Sequence, residues 1–322
     1  MEPSAPSQQC ADAVLMIRPA CFGYNPDTAR TNTFQRPENE AAGPAAAART
    51  QTQALEEFGR LQRALESEGV EVCAVEDTAA PVKPDAVFPN NWISFHEDGT
   101  LVLYPMESTS RRPERRPEVL ETVTRRLGFK VAHLLDLTHF EGEGMFLEGT
   151  GSLVLDHKER VAYACASART HPALVAEWAR ELNYEPMVFQ AADRAGVPLY
   201  HTNVLMWIGE RVAIVGSEAI AATDRERVLA RLRASGREII EIGQEEILGF
   251  AGNMLELGTW DEALGDSRVL VMSEAARRAL SPEKYARLSG TTDALLVVPI
   301  PTIERLGGGS VRCMLAEVFG RA

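Results

Sequence analysis

The sequence predicts an α/β fold assembled from one repeated unit of strand, strand, helix and strand. Three observations lead there. First, the runs RVAYACASAR from Arg160, RVAIVGSEAI from Arg211 and RVLVMSEAAR from Arg268 look alike. Each is an apolar, β-type run that ends on small or serine residues and passes into a helical stretch. Second, each follows another strand-like run and a turn, in GSLVLDHKE, NVLMWIGE and NMLELGTWDEALGDS. Third, the landmarks Asp85, Glu148, His201, Asn253 and Cys313 recur about every 50–65 residues, the period of a supersecondary unit repeated around an axis. A generic α/β chain whose strands merely look alike fits the first two observations as well.

The elements follow in chain order. The opening MEPSAPSQQCADA lacks the basic-then-apolar layout of a signal peptide and reads as a disordered tail over residues 1–12. AVLMIRPACF, near the start, is strand-like and pairs with SVRCMLAEVF at the other end as a fifth unit. DAVFPNNW opens at Asp85 like a buried strand and ends on two amides, Asn90 and Asn91. NWISFHEDGTLVLYPMES is a weaker copy of the unit, with Asp98-Gly99 as a hairpin turn. RTHPALVAEWARELNY and ATDRERVLARLRAS carry apolar residues at helical spacing, the second with Thr223-Asp224 as its cap. Three glycines, Gly307 to Gly309, lead into a last strand bearing Ser310, Arg312 and Cys313.

Composition narrows the function. With 33 Lys and Arg against 46 Asp and Glu, the formal charge is −13. A nucleic-acid partner needs clustered basic residues, and the one dense run, Arg111, Arg112, Arg115 and Arg116, is short and broken by Pro113 and Glu114. Five scattered cysteines without a CxxC pair argue against a disulfide framework or a structural zinc. No run approaches the roughly 20 apolar residues of a membrane span. The expected setting is a reducing cytoplasm.

Several residue types suit catalysis. Cys313 follows a glycine-rich approach that permits close substrate contact. A lone cysteine beside an apolar run is as a rule an inert core residue, so a nucleophilic role requires a base. His201, in PLYHTNVLMWIG, stands at a strand mouth, where it suits general acid–base chemistry or equally a capped surface position. Glu148, in GMFLEGTGSLVL, lies between an apolar patch and glycines; a carboxylate buried there needs a partner, and His201 is the candidate. Arg111 and Arg169 each follow the second strand of a unit, so together they could clamp a carboxylate. Taken singly, each reads as a surface arginine.

The ordered set VFPNNW, LEGTGS, YHTNV and VRCMLAEVF resembles the guanidino-group-modifying superfamily: arginine deiminases, dimethylarginine dimethylaminohydrolases and amidinotransferases. The likeness runs from MIRPACFGYN to the C-terminal segment and is closest to citrulline utilisation hydrolases. It implies a fivefold pseudosymmetric α/β propeller forming a single catalytic domain over residues 13–322. It further implies Cys313 as nucleophile, His201 as general acid/base and Glu148 as the carboxylate orienting His201. Asp85 keeps an acidic counterpart, Arg111 and Arg169 match holders of a substrate α-carboxylate, and the segment through Phe22 and Asn32 matches a loop closing over the site. Asn90 and Asn91 stand where dimethylarginine dimethylaminohydrolases carry acids. A carboxylate suits a guanidinium, whereas a neutral ureido group needs partners that also donate. The expectation is therefore hydrolysis of citrulline to ornithine, carbon dioxide and ammonia, with no metal or cofactor, an amino acid as partner and a possible homodimer. A guanidine hydrolase, an amidinotransferase and a non-catalytic amino-acid binder remain alternatives.

Overall fold

A computed structural model describes residues 8–37, 43–261 and 265–321. Among them are five three-stranded sheets of one design. In each, the middle strand pairs antiparallel with one neighbour and parallel with the other. The first four are Ile93–Phe95, Thr100–Leu103 and His133–Asp136; Leu153–Asp156, Val161–Cys165 and Glu185–Phe189; Met206–Ile208, Val212–Val215 and Glu238–Glu241; and Leu255–Asp261, Gly265–Ser273 and Ala294–Val298. The fifth joins the two ends of the chain: Ala13–Arg18 pairs antiparallel with Ala316–Glu317 and parallel with Glu71–Glu76, with Val14 opposite both Glu317 and Val72.

Each design follows from local sequence. The antiparallel pairs need only a tight turn, and Asp98-Gly99 supplies one, with Asp98 Oδ1 accepting from the Thr100 N–H at 2.9 Å. Parallel pairs need a crossover, and helices provide it. Pro172–Leu182 starts on a proline, buries the stripe Leu174, Val175, Trp178, Ala179 and Leu182, and stops at Asn183 in the left-handed region, φ 55°. Val161–Cys165 and Val212–Val215 are buried along their whole length, as expected of strands covered on both faces. Truncating a buried residue such as Trp178 to alanine is expected to cost about 3–5 kcal/mol.

Some expectations need correcting. Asp85 to Asn91 is not a strand but a buried turn leading into a 3-10 turn at Pro89–Asn91. The Phe88 N–H is turned back on the Asp85 carbonyl at 3.0 Å, which a strand does not allow. Thr223-Asp224 is not a cap: the helix is Ala222–Ala234, and Asp224 Oδ2 instead accepts from the Gln190 N–H. Of the expected tail, residues 1–7 lie outside the described residues. Its inner end is anchored, because Gln9 is buried and donates through Nε2 to the carbonyls of Leu155 and Ile208 at 3.0 and 3.1 Å. Among the described residues no helix is long and apolar enough to cross a membrane, and no group of three or more His, Cys, Asp or Glu is placed to hold a metal ion.

Candidate active site

The turns that precede the first strands of the sheets carry the polar residues. Glu148 leads into the short helix Gly149–Ser152, His201 into the 3-10 turn Thr202–Val204, and Cys313 lies inside the 3-10 turn Val311–Met314. Cys313 and His201, 112 positions apart in sequence, line one cavity together with Asp85, Asn91, Arg111 and Arg169. Turns suit this task because their irregular backbone aims side chains out of the sheets, while the strands behind them hold them still.

His201 is buried, and its Nε2 lies 2.8 Å from Glu148 Oε2. A carboxylate only accepts, so Nε2 carries the proton and Nδ1 is left as the basic nitrogen. Gly151 makes this packing possible: a Cβ there would come within 2.7 Å of the imidazole and would also collide with the Asn91 amide. Glu148 Oε1 accepts from the Glu107 N–H at 3.1 Å, and Arg169 Nη1 approaches Oε2 at 3.4 Å. Burial alone would raise the Glu148 carboxyl, but Arg169 and the His201 hydrogen bond outweigh it and hold it down at about 2. Burial pushes the His201 imidazole down to about 4, against the pull of Glu148. The resting pair is thus an ionised carboxylate facing a neutral imidazole.

The cavity's other wall is set by what is paired and what is not. Asp85 Oδ2 accepts from Asn25 Nδ2 at 2.6 Å and Thr28 Oγ1 at 3.0 Å, while Oδ1 is buried with no partner. Burial raises the Asp85 carboxyl and Arg111 works against that. Asn91 Oδ1 accepts from Arg111 Nη1 at 2.7 Å, and its Nδ2 is left buried and unpartnered. Since a guanidinium can only donate, the oxygen must be the end that faces Arg111, and Nδ2 must face the cavity wall at Gly151 and His201.

The segment around residues 25–36 covers the cavity and is pinned to it. Asn32 Nδ2 and Gln35 Nε2 donate to the Gly307 and Gly308 carbonyls, at 3.2 Å for Asn32 to Gly308 and 3.0 Å for Gln35 to Gly307. Gly308 has φ +63°, and a Cβ there would strike Asn32 and Gln35. Tyr200, its ring tilted by 39° against His201 with centroids 4.6 Å apart, donates its hydroxyl to the Gly308 carbonyl at 2.6 Å.

Of the residues singled out from the sequence, Asp85, Asn91, Arg111, Arg169, His201, Cys313 and Asn32 line the cavity. Glu148 stands behind His201. Asn90 does not line it; its side-chain atoms are buried without partners, and its carbonyl accepts from Thr150 Oγ1 at 3.4 Å. Phe22 packs in the core beneath, with its N–H donated to Gln51 Oε1 at 2.6 Å. The two arginines do not present free guanidinium faces. Arg111 is spent on Glu114, through Nε at 2.9 Å and Nη2 at 2.8 Å, and on Asn91 and the Phe88 carbonyl. Arg169 donates to the Thr28 carbonyl at 2.6 Å and to Thr31 Oγ1 at 2.9 Å, with its guanidinium 5.1 Å from the centre of the Tyr200 ring. Sequence reasoning missed Asn25, Thr28, Gln35, Tyr200 and Asn203, and took Asn253 as a landmark of the repeat without its contact to Cys313, which the amides of both Asn203 and Asn253 reach. Asn25-Pro26 carries the one local signal, that of a helix start, with Asn25 Oδ1 accepting from the Asp27 N–H.

The imidazole backed by Glu148, the Cys313 thiol and the unpaired Asp85 and Asn91 atoms thus meet at one cavity. The sequence model of the eukaryotic N,N dimethylarginine dimethylhydrolase family matches residues 18–320. The chain belongs to that family, within the guanidino-group-modifying superfamily. No curated protein matches the sequence. Among solved structures, apo ArgZ, an arginine dihydrolase from the ornithine–ammonia cycle in cyanobacteria, superposes with a TM-score of 0.72 at 17% identity over 95% of this chain. This chain spans 40% of that longer protein. The substrate-bound N-terminal domain of ArgZ, a Cys-to-Ser variant, gives 0.71 at 17% identity, covering 95% of this chain and 98% of that one. The dimethylarginine dimethylaminohydrolase of Pseudomonas aeruginosa, a Cys-to-Ser variant complexed with citrulline, gives 0.64 at 18%, covering 95% and 99%.

Proposed function

We propose that this protein is a cysteine-dependent C–N hydrolase whose preferred substrate is the ureido amino acid citrulline, with the five sheets as blades of a fivefold pseudosymmetric propeller and residues 13–322 as one catalytic domain. The orientation of Asn91 is the observation that carries the substrate preference. With Oδ1 spent on Arg111, the amide offers the cavity only donors. A ureido oxygen accepts; a guanidinium has donors alone and would meet N–H against N–H. Asp85 Oδ1, an unpaired acceptor, suits the ureido nitrogens.

In the reaction, His201 Nδ1 takes the proton of the Cys313 thiol, Sγ attacks the ureido carbon, and the carbonyl oxygen takes up negative charge, met by Asn91 Nδ2. The carbon–nitrogen bond to the side chain of ornithine breaks, and that nitrogen leaves with a proton from His201 Nδ1. A carbamoyl thioester remains on Cys313. His201 then takes a proton from water, the hydroxyl adds to the thioester carbon, and the thiolate departs. The carbamate released decomposes to carbon dioxide and ammonia. Glu148 stabilises the imidazolium formed in between. Neither Arg111 nor Arg169 has a guanidinium free for the α-carboxylate, so an arginine that holds it must first give up some of its protein acceptors.

A second reading, a guanidine hydrolase of the arginine dihydrolase or dimethylarginine type, is favoured by the family match and by the Asp85 carboxylate. Mass spectrometry of products from citrulline, arginine, dimethylarginine and agmatine separates them. Ornithine from citrulline at a rate above that of any arginine product supports the proposal; citrulline left intact while arginine or dimethylarginine is consumed defeats it.

A further inference from the structure

The five turns carry one structurally equivalent position. Asn91, Gly151, Asn203, Asn253 and Cys313 each lie two residues before a buried aliphatic residue: Ile93, Leu153, Leu205, Leu255 and Leu315. Three of the five are asparagines, and two of these turn their amides on the sulfur that occupies the fifth. Asn253 Nδ2 lies 3.3 Å from Cys313 Sγ, and Asn203 Nδ2 lies 3.4 Å from it.

The Asn253 amide has no freedom to do otherwise. Its Oδ1 accepts from the Arg312 N–H at 3.1 Å, and its Nδ2 donates to the Asn203 carbonyl at 3.0 Å. A backbone N–H only donates and a carbonyl only accepts, so the amide cannot flip. One Nδ2 hydrogen is taken by the Asn203 carbonyl, which leaves the other for the sulfur. Asn253 is fully buried, so no water competes for these contacts. The same side chain therefore grips the nucleophile's turn by its backbone, ties it to the turn that follows His201, and supplies a donor to the sulfur.

We infer that Asn253, with Asn203 beside it, is a catalytic donor pair: the two amides cradle the sulfur of Cys313 and stabilise its anion. The inference rests on the reading of Cys313 as nucleophile. The anion appears twice in that reaction, when the thiol gives up its proton before attack and when the thiolate leaves the carbamoyl thioester. A neutral thiol is a weak acceptor that gains little from two N–H groups, whereas a thiolate in a dry site gains charge-assisted hydrogen bonds. The pair thus favours the reactive form and directs its lone pairs.

The test measures alkylation of Cys313 by iodoacetamide at fixed pH, followed by mass spectrometry of its peptide, alongside kcat and KM. Asn203→Ala removes one donor and leaves no backbone group unpaired; alkylation and kcat are expected to fall together by about 10- to 100-fold with KM within about threefold. Asn253→Asp is nearly isosteric, keeps an acceptor for Arg312 and sets a carboxylate against the sulfur, so its loss should exceed that of Asn203→Ala. Alkylation and kcat within twofold of wild type in either folded variant overturn the cradle. If Asn253→Asp does not fold, Asn203→Ala alone decides. Failure of the functional reading shows differently: turnover retained by Cys313→Ser removes Cys313 from the chemistry, whereas alkylation of the thiol reads the cradle without any substrate.

Discussion

Arg111 and Arg169 both follow the second strand of their unit, eight residues after Leu103 and four after Cys165, and the fold spends them differently. Arg111 is locked into a static frame. Glu114 meets it with both carboxylate oxygens one 3-10 turn away, and its remaining donors fix Asn91 and the Phe88 carbonyl. Arg169 instead joins parts that are distant in sequence: the covering segment at Thr28 and Thr31, the Glu148 carboxylate and the face of Tyr200. Arginines that follow the same strand of a repeat therefore need not share a job. One arginine orients the Asn91 amide in the cavity wall, and the other couples the covering segment to the Glu148 carboxylate.

The largest expected difference is in stability. Arg111→Met leaves Glu114 buried without its cation, a change worth about 3–5 kcal/mol, read as a lower midpoint of urea unfolding. Replacing both partners, Arg111→Met with Glu114→Met, should restore most of it. An Arg111→Met protein that is fully stable, but binds α-carboxylate-bearing substrates poorly, would return Arg111 to the role of substrate clamp.

Arg169→Met should act on catalysis before stability. Glu148 keeps the His201 hydrogen bond and the Glu107 N–H, but loses the charge that holds its carboxyl near 2. kcat/KM for citrulline is expected to fall about 10- to 100-fold, and amide exchange in residues 28–32 to quicken. Unchanged exchange in that segment breaks the link between Arg169 and the cover.

A smaller effect follows from pH. His201 and His96 are lowered by burial to about 4, and His157 to about 3. Each folded value lies below the ordinary 6.5, so the unfolded chain binds more protons in between. The share of stability these histidines supply is therefore full above about pH 6.5 and declines as pH falls towards 4, while Glu114 and Glu304, pushed up by burial to about 7, act in the opposite sense between about 7 and 4.5. Glu148 adds loss of the same sign as the histidines from about 4.5 down to 2, and Arg169→Met should remove that share. Unfolding free energies of wild type and His157→Gln at pH 7, 5.5 and 4.5 check the sign: the wild-type advantage should shrink on acidification, and an advantage that grows contradicts it.

Much of this was legible in sequence. Cys313 and His201 line one cavity with Glu148 directly behind His201, and the join between the chain's two ends was readable from two strand-like runs. The strand alternation and the recurrent turns carry those signals locally. What stayed hidden depends on contacts between distant residues. Nothing in the run from Arg111 to Glu114 says that the pair is buried, because an Arg and a Glu three apart read as a solvated surface couple. Asn253 stood out as a landmark of the repeat, but its hold on Cys313 crosses 60 positions and exists only once two turns meet. The Asp85 to Asn91 run misled for the opposite reason: its apolar residues look like a strand, and only the Arg111 guanidinium collecting its carbonyls makes a buried turn stable.

The proposed substrate preference turns on the amide of Asn91, and its most direct test is the ratio of kcat/KM for citrulline to that for arginine, in wild type and in Asn91→Asp. The substitution exchanges the donor facing the ureido oxygen for a carboxylate. Removing a hydrogen-bond partner from a buried polar group costs about 1–3 kcal/mol, so citrulline turnover should fall roughly 5- to 150-fold while arginine binding improves. Asn90→Asp, at a side chain outside the cavity lining, should leave the ratio unchanged. A ratio within about twofold of wild type in Asn91→Asp would contradict the assignment of Asn91 as the selector.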